Sequence, residues 1–411
     1  MYDFIIIGGG ISGLYMATQL RKNNHIMLLE KNDYFGGRIY QHEETIDGKH
    51  LSFPAGAGRF NKNHQLVIQL LRKYKLIDFR KQKGFSSSIK FIDSKEEFST
   101  QQSKKNGFTL LYKILDKSKK MNDEYLKQIC FQELAKEVLH QKDVDYLLVS
   151  IGYSGQLKHM NAYDARNLFE TGIRDDIPYF VGNFHLLVQE MIKELKHHKT
   201  TLKKSCSVEN VSFNQTKQCY EVFYQNKRSL SKKIVFAIPQ PSLLRFSLLQ
   251  PISNIIQHSI TCKPLCRVYA YFKPEDVWFR DLKTKVVTNN ALRYIIPMDA
   301  EKGLIMISYS DDQYTSFWEK RKHSQEKLKK AIVQYVNKTF DLDISSPQKV
   351  WVFHWDCGVG YWNPGINSAH VNSFMVHPLS NVYICGENYS LTQSWVEGAL
   401  QSCEYCLSLI K

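Results

Sequence analysis

The stretch Asp3-Phe4-Ile5-Ile6-Ile7-Gly8-Gly9-Gly10-Ile11-Ser12-Gly13 joins an apolar run to a glycine-rich turn. Residues 3–7 have the composition of a buried strand, and the apolar residues of 14–20 recur at helical spacing. A second apolar run, at residues 26–29, follows a short polar break. The pattern predicts a strand, a tight turn, a helix and a second strand, which is how a doubly wound α/β sheet begins.

Three glycines in this stretch have the GxGxxG spacing of a dinucleotide-binding turn. Gly8 permits the tight turn, Gly10 lets a pyrophosphate approach the backbone, and Gly13 lets the helix pack closely against the strand. The phosphates then face the positive end of the helix dipole near Ser12, where backbone N–H groups lack helical partners. A lone GxGxxG is a weak signal, but its place between a strand and a helix predicts dinucleotide binding.

Glu30 ends the second predicted strand, where its carboxylate can accept hydrogen bonds from an adenosine ribose. We expect the adjacent Lys31 to contribute to the same site. Residues 32–38 continue with a glycine pair and an arginine, and they resemble the second fingerprint of the glutathione-reductase-type flavoproteins, which include the amine oxidases. The resemblance implies that the cofactor is FAD, that Gly37 lets the chain pass close to it, and that Arg38 lies against its pyrophosphate.

The C-terminal residues 382–399 are similar to the closing flavin motif of the flavin-containing amine oxidases. Their own pattern predicts a buried strand, a turn at Gly386 and Glu387, a polar loop and a helix. In the family the acid, here Glu387, bonds the ribityl chain, and the start of the last helix, here Trp395 and Val396, faces the flavin ring. Distal ends that each carry part of one cofactor site imply a discontinuous FAD-binding domain.

The middle portion of that domain is expected at residues 208–239, where Val208 matches the family residue whose backbone meets adenine. The predicted fold class is α/β, with a discontinuous Rossmann-like FAD-binding domain of glutathione-reductase type and an α+β substrate domain with a mixed sheet and helices. Strands of the second sheet are predicted at residues 267–273 and 303–308. We expect the FAD-binding domain to comprise residues 1–74, 184–257 and 354–411, and the substrate domain to comprise residues 75–183 and 258–353.

The resemblance also implies a reaction. The family transfers a hydride equivalent from the carbon beside an amine nitrogen to flavin, giving an imine that water hydrolyses, and O2 reoxidises the flavin with formation of H2O2. An ammonium has no lone pair to assist hydride departure, so the site must favour the neutral amine through apolar and aromatic walls. Tyr361 and Trp395 match the two walls of the family's aromatic cage. We expect a small-molecule amine, polyamine or amino acid as the substrate.

Three positions differ from residues found in the family. Arg267 stands where a lysine commonly reaches N5 through water; an arginine stays protonated and would act electrostatically, so an acceptor other than O2 is an open alternative. Ser394 stands where a glycine is usual and adds bulk beside the flavin and the substrate. Gly360 stands where some monoamine oxidases carry the cysteine bonded to flavin, so we expect FAD to be held without a covalent bond.

The segment Gly56-Ala57-Gly58-Arg59 is similar in position to one in which L-amino-acid oxidases carry an arginine that clamps the substrate carboxylate. We expect Gly56, Ala57 and Gly58 to contact the cofactor. Arg59 could equally contact a flavin phosphate or lie at the surface. Amines, polyamines and amino acids therefore remain equally acceptable at this point.

Composition excludes several classes of protein. The 411 residues are 43% hydrophobic and 23% charged, which excludes a disordered or collagenous chain. The formal charge of +15 is spread over polar segments without a nucleic-acid motif, so no specific nucleic-acid partner is expected. Neither a leader nor a long apolar run is recognisable, which predicts a cytoplasmic protein without a membrane span. Nothing in the sequence indicates the oligomeric state.

The nine cysteines are scattered, which predicts reduced thiols rather than a disulfide framework. Cys403 and Cys406 form a CxxC in a tail of helical pattern, but no second CxxC or histidine pair completes a zinc site. We therefore expect no bound metal.

Two other functional classes are compatible with these motifs. Another FAD enzyme on the same scaffold, such as a desaturase, a protoporphyrinogen oxidase or a sugar mutase, would share the N-terminal motif, whereas residues 393–399 favour amine oxidation. A non-catalytic flavoprotein with a binding or structural role is the remaining alternative, suggested by Arg267 and by the basic charge.

Overall fold

The computed structural model of the chain describes residues 1–78, 84, 88–103, 105–198 and 200–410. Within these residues the strands are, in chain order, β1 (Tyr2–Ile7), β2 (Ile26–Leu29), β3 (Gln41–Ile46), β4 (Lys49–Pro54), β5 (Arg59–Asn61), β6 (Ile89–Ile92), β7 (Tyr179–Val181), β8 (Thr201–Lys203), β9 (Val208–Asn214), β10 (Cys219–Tyr224), β11 (Lys227–Phe236), β12 (Ile260–Tyr271), β13 (Lys285–Thr288), β14 (Tyr294–Asp299), β15 (Leu304–Asp311), β16 (Lys349–Trp362) and β17 (Val382–Ile384).

The helices of the described residues are α1 (Ile11–Leu20), α2 (Gln65–Lys73), α3 (Thr100–Ser103), α4 (Gly107–Ser118), α5 (Asp123–Gln128), α6 (Phe131–Val138), α7 (Gln141–Ser150), α8 (Gly155–His159), α9 (Ala162–Thr171), α10 (Phe184–His197), α11 (Gln240–Leu243), α12 (Ser253–Ser259), α13 (Thr315–Glu319), α14 (Gln325–Phe340), α15 (Ser368–Val376) and α16 (Val396–Leu409). Short 3₁₀ turns lie at Ser247–Ile252, Pro274–Asp276 and Asp312–Tyr314. None of the helices in the described ranges is long and apolar enough to cross a bilayer.

The N-terminal apolar run forms β1 at the centre of the larger sheet, whose order is β8-β2-β1-β11-β10-β9, with β17 also beside β11. β1 pairs in parallel with both β2 and β11, and β17 continues the parallel set. Ile5 and Ile6 are fully buried, because a parallel sheet is covered on both faces. The predicted strand, turn, helix and second strand are confirmed.

The second sheet has the order β16-β12-β15-β14-β13-β6 and is antiparallel except for the parallel pair β13 and β6. The strands predicted at residues 267–273 and 303–308 are the neighbours β12 and β15. The sheet is therefore mixed, as expected. The predicted domain boundary at residue 354 falls within β16, which continues to Trp362. β16 is an edge strand of the second sheet.

The helices α4 to α9 share a hydrophobic core with strands of both sheets. Their apolar side chains, among them Leu111, Ile114, Phe131 and Phe169, share one core with Ile5 and Ile7 of β1 and with Tyr361 and Trp362 of β16. A single core that reaches β1 and β16 fixes the position of the two sheets relative to each other, since close-packed interiors allow little sliding.

The two ends of the chain meet at the first helix. Helix α16 packs on α1, where the Cys403 thiol donates to the carbonyl of Ser12 at 3.5 Å and the Tyr15 hydroxyl donates to Glu404 at 2.5 Å. The N–H of Gly386 donates to the Ser402 hydroxyl at 3.2 Å. The convergence of the N-terminal and C-terminal motifs that the sequence predicts is thus present.

The expectation that all cysteines are reduced is wrong for one pair. Cys262 on β12 and Cys357 on β16 are joined by a disulfide across a separation of 95 residues, and the other seven cysteines are free. The two strands are antiparallel neighbours with a register shift between Lys263 and Leu265. Because this proximity arises from strand pairing, the spacing of cysteines along the chain could not reveal it.

A thiol count tests this pairing. Protein purified without reductant and then denatured should expose seven reactive thiols, and nine after reduction, because seven cysteines are free in the structure. The Cys262→Ser variant should show eight without reductant, since the seven free cysteines are joined by the released Cys357. Nine thiols in the denatured, unreduced wild-type protein would show that the pair is open.

Candidate active site

The cofactor motifs of both chain ends line one cavity of about 810 Å³. Gly10 and Glu387 both border it, together with residues of the second sheet such as Arg267, Tyr309 and Tyr361. The volume lies within the range of small-molecule and cofactor sites. The cavity therefore connects the predicted FAD site with the predicted substrate side.

The glycine turn at the start of α1 has the shape that a pyrophosphate requires. A Cβ at Gly13 would lie 1.9 Å from the Gly8 carbonyl, so only glycine allows this packing of the helix against the turn. A Cβ at Gly10 would meet nothing nearer than the Gly36 carbonyl at 4.0 Å and would instead project into the cavity. No side chain caps α1, so its first N–H groups near Ser12 are available to phosphate oxygens.

Glu30 lies in the cavity wall after β2 and is only 5% exposed. Its carboxylate accepts hydrogen bonds from the N–H of Gly9 at 2.7 Å and from the N–H of Asn32 at 2.8 Å. Lys31 and Val208 border the same part of the cavity. These neighbours are the residues that the sequence assigns to the adenosine end of FAD.

Glu387 joins three segments at the middle of the cavity. It accepts from the Arg38 guanidinium at 2.9 Å, from the N–H of Gly360 at 3.0 Å and from the N–H of Ser394 at 2.9 Å. Arg38 also donates to the carbonyl of Gly358 at 2.6 Å. The residue is 3% exposed, so its buried charge is compensated by one cation, two backbone donors and the side-chain amide of Asn388 at 2.8 Å.

The two predicted aromatic walls border the same cavity. Tyr361 on β16 is fully enclosed, and burial together with the nearby Asp311 raises the pKa of its hydroxyl well above the ordinary value. Trp395 stacks on Tyr179 with ring centroids 5.8 Å apart and meets the edge of His64 at 4.7 Å. The Trp395 indole Nε1 is buried and has no hydrogen-bond partner among the described residues.

Ser394 has an unusual backbone at the edge of the cavity. Its φ is +71°, in the left-handed region that disfavours side chains, which explains why a glycine suits this position. Its hydroxyl oxygen is buried and finds no partner within the described part of the chain. Ser394 Oγ and Trp395 Nε1 are thus two buried polar atoms without a partner among the described residues, in residues that border the cavity.

Arg267 lies in the cavity wall on β12 and is 9% exposed. It donates from Nη1 to the carbonyl of Gly56, and its guanidinium lies 4.5 Å from the centre of the Tyr309 ring. It therefore holds the 56–58 segment against the second sheet. Gly56, Ala57 and Gly58 border the cavity, as the sequence predicts for cofactor contacts.

Arg59 borders the cavity at the start of β5, close to tyrosine side chains. Its Nη2 lies 3.5 Å from the Tyr153 hydroxyl, and its guanidinium lies 6.0 Å from the Tyr309 ring. Lys285, at the start of β13, borders the same region and is 6% exposed. Burial, and then the nearby charge of Arg59, lower the pKa of Lys285 to about 7.

The sequence analysis did not identify several residues on this side, namely Tyr153, Gln156, Arg174, Tyr179, Lys285, Tyr294 and Tyr309. They come from separate strands and helices, and no local motif marks them. Lys285 in particular begins the segment Lys-Val-Val-Thr, where a lysine is ordinarily exposed. Within the described ranges, no three or more histidine, cysteine, aspartate or glutamate side chains lie close enough together to hold a metal ion.

The chain resembles flavin-containing amine oxidoreductases over most of its length. The profile of the flavin-containing amine oxidoreductases matches residues 11–405. The chain is 33% identical over 76 residues to a UDP-galactopyranose mutase of Mycoplasma genitalium, which is 18% of each protein. It is 38% identical over 61 residues to the flavin-containing amine oxidase A of Equus caballus, which is 15% of this chain and 11% of that protein. These alignments span less than a fifth of either relative.

The structure is similar to that of a putrescine oxidase solved with bound putrescine, with a TM-score of 0.77 and 16% identity. The superposition covers 100% of this chain and 99% of that one. At this identity the similarity shows a shared fold.

The role of Glu30 can be tested by FAD retention. Glu30→Ala removes the acceptor offered to the ribose and leaves the N–H groups of Gly9 and Asn32 unpaired, so FAD affinity should fall about tenfold or more. Asp33→Ala, at an exposed position three residues on, should retain FAD as the wild type does. Affinity is measured by flavin fluorescence during titration of the apoprotein, and equal retention by both variants would contradict the ribose role.

Proposed function

The chain belongs to the family of flavin-containing amine oxidoreductases, whose cofactor is FAD, and on that premise we propose that it oxidises the C–N bond of a small-molecule amine. The observation that carries the proposal is the single cavity in which the dinucleotide-binding turn and the aromatic pair Tyr361 and Trp395 meet. Bound FAD supplies the acceptor for the hydride equivalent. The protein supplies binding, orientation and exclusion of water.

We assign the cofactor contacts along the cavity. The start of α1, with Gly10 and Ser12, takes the pyrophosphate, and Glu30 takes the adenosine ribose. Glu387, held by Arg38, takes the ribityl chain. The N-terminus of α16 then faces the flavin ring, since its first N–H groups have no side-chain cap. In this assignment the larger sheet belongs to an FAD-binding domain of residues 1–74, 184–257 and 354–411, and the remainder forms the substrate domain.

FAD is bound without a covalent link in this proposal. Gly360 offers no side chain for attachment, and a Cβ there would lie 2.8 Å from the Asn388 amide nitrogen. Cys357, three residues earlier, is engaged in the disulfide with Cys262. Heat or acid should therefore release the flavin.

Tyr361 and Trp395 would hold the reacting end of the amine. An enclosed aromatic wall penalises the ammonium and favours the neutral amine, whose lone pair assists departure of the hydride. Burial keeps the Tyr361 hydroxyl protonated, so it can donate a hydrogen bond but carries no negative charge that would stabilise the ammonium. The resulting imine is hydrolysed by water after release.

We propose O2 as the electron acceptor, with Arg267 as the charge that favours it. A fixed cation near the flavin lowers the energy of developing superoxide electrostatically. Arg267 is oriented for this role by its hydrogen bond to the carbonyl of Gly56 and by its contact with the Tyr309 ring. An arginine cannot exchange protons as a lysine can, so the reaction with O2 is expected to be slower than in lysine-containing relatives.

The amine reaction is tested by anaerobic mixing of the FAD-loaded protein with monoamines, diamines and amino acids. At least one compound should bleach the oxidised-flavin absorbance. Trp395→Phe should lower the bleaching rate about threefold to tenfold, because part of the aromatic wall is lost. Trp278→Phe, outside the cavity wall, is the matched control. Bleaching by no compound, with photoreduction of the flavin intact, would contradict amine oxidation.

The role of Arg267 is tested in the oxidative half-reaction alone. Arg267→Met should slow reoxidation of chemically reduced flavin by O2 about tenfold or more, because a fixed cation is lost. Arg267→Lys should retain or raise the rate. Arg280→Met, at an exposed position, controls for loss of an arginine elsewhere. Unchanged reoxidation in Arg267→Met would contradict the proposed role of Arg267 in the reaction with O2.

A further inference from the structure

We propose that the side-chain amide of Gln156, which borders the cavity, binds the substrate by accepting a hydrogen bond from an N–H of the reacting amine. The substrate is then an amine that keeps at least one N–H in its neutral form, which means a primary or secondary amine rather than a tertiary one. The inference rests on the amine oxidation proposed above and deepens it by naming the substrate class.

The Gln156 side chain carries a buried acceptor that the described residues leave unsatisfied. The residue borders the cavity and is 5% exposed. Its Oε1 is enclosed and has no hydrogen-bond partner in the part of the chain that the structure describes. Buried polar side chains are ordinarily hydrogen-bonded, because an unmatched acceptor loses its contact with water without compensation. A ligand in the cavity is in position to supply the missing donor.

The place of Gln156 on α8 is fixed from the second sheet. Asp311, at the end of β15, is 1% exposed, and its carboxylate accepts hydrogen bonds from the N–H of Ser154 at 3.1 Å and from the N–H of Gly155 at 2.6 Å. Gly155 also lies against Tyr361, since a Cβ there would be 2.9 Å from Tyr361 Cε2 and 3.0 Å from its hydroxyl oxygen. Gln156 is therefore one residue along the chain from the aromatic wall that we assign to the reacting end of the amine.

The Gln156 amide can turn its oxygen towards a bound amine. The terminal torsion of a glutamine side chain is broad, and no described partner holds Oε1 in its present orientation. Another amide of the cavity wall, that of Asn388, is fully engaged. Its Oδ1 accepts from the N–H of Gln240 at 2.9 Å, and its Nδ2 donates to Glu387 at 2.8 Å. Of these two amides, Gln156 is the one whose oxygen is available.

The described wall has its carboxylates elsewhere. Its acids are Glu30, Glu209, Asp356 and Glu387. The three glutamates lie in or next to the segments assigned to FAD, and Asp356 is exposed. The wall also contains apolar side chains of the predicted substrate domain, namely Ile89, Phe108, Ile151 and Ile173. Apolar pockets use a few placed polar groups to fix the orientation of a ligand, and Gln156 has that function in this proposal.

A neutral acceptor for N–H suits hydride transfer from an amine. A neutral primary or secondary amine has at least one N–H and one lone pair, and the lone pair must stay free to assist the departing hydride. Gln156 Oε1 would engage an N–H and leave the lone pair unbound. A carboxylate in its place would stabilise the ammonium, which has no lone pair, whereas an amide carries no charge. The hydrogen bond would also restrict rotation about the C–N bond and so orient the lone pair.

Non-reacting amines test this contact apart from catalysis. Cumylamine has no hydrogen on the carbon beside nitrogen, so it cannot lose a hydride there, and its N,N-dimethyl derivative has no N–H when neutral. Binding to the FAD-loaded protein is followed by the flavin spectrum, and the affinity of each neutral form is obtained from the pH dependence. Gln156→Met should weaken binding of cumylamine about fivefold to tenfold and leave that of the derivative within about twofold.

Reacting amines test the same contact during flavin reduction. Every primary amine of the panel that bleaches the flavin is compared with its N,N-dimethyl derivative. The ratio of the two rates, primary to tertiary, should fall about fivefold to tenfold in Gln156→Met, because only the primary amine loses a hydrogen bond. A purely structural role of Gln156 would slow both compounds equally and leave the ratio unchanged.

Controls separate loss of the contact from loss of folding. Gln156→Leu also lacks an acceptor and should behave as Gln156→Met does. Gln141→Met, at an exposed position on α7, is the matched control and should bind and react as the wild type does. The unfolding temperature and the FAD content of each variant report on folding.

The outcomes distinguish this inference from the proposed function. Selective loss of cumylamine binding in the Gln156 variants, without flavin reduction by any amine, would support the contact and refute amine oxidation. Flavin reduction with the same rate ratio in wild type and both variants would support amine oxidation and overturn the contact. Equal loss of affinity for cumylamine and for its derivative would also overturn it.

Discussion

The arrangement of the site depends on the buried carboxylate of Glu387. It accepts hydrogen bonds from Arg38, from β16 at Gly360 and from the loop before α16 at Ser394. These three segments lie far apart in the chain, and one charge holds them around one cavity. A buried carboxylate that lost these partners would be strongly destabilising. The same contacts that keep the C-terminal motif folded therefore also shape the cavity.

Residues with a local signature could be predicted from the sequence. The turn from Gly8 to Gly13, Glu30 after β2 and the Glu387 turn each follow from a strand or helix pattern within a few residues. The pairing of Cys262 with Cys357 and the position of Lys285 could not, because they depend on which strands become neighbours in the second sheet. Arg59 lies between these cases: its segment was recognisable, but its tyrosine surroundings come from elements distant in sequence.

Shared fold and shared substrate are separate matters in this protein. The backbone superposes on that of a putrescine oxidase along the whole chain. The packing of the two sheets and of helices α4 to α9 in a shared core determines this fold. Charge in the cavity wall is set by a few side chains, such as Arg59 and Lys285. Selectivity can thus change while the fold persists.

The charges of the cavity wall act on the protonation of a bound amine. Positive charge on Arg59 and Arg267 disfavours an ammonium in the same enclosed space and so would lower the pKa of a bound amine. Burial lowers the pKa of Lys285 to about 7, so its ammonium adds to this effect only in part. Arg267 donates a hydrogen bond to the carbonyl of Gly56 and packs on the Tyr309 ring, and it takes no part in the contact between Arg59 and Tyr153. In the proposed reaction its charge would act beside the flavin. The two arginines would therefore favour the neutral form of the amine, which carries the lone pair that the reaction needs, within one enclosed cavity.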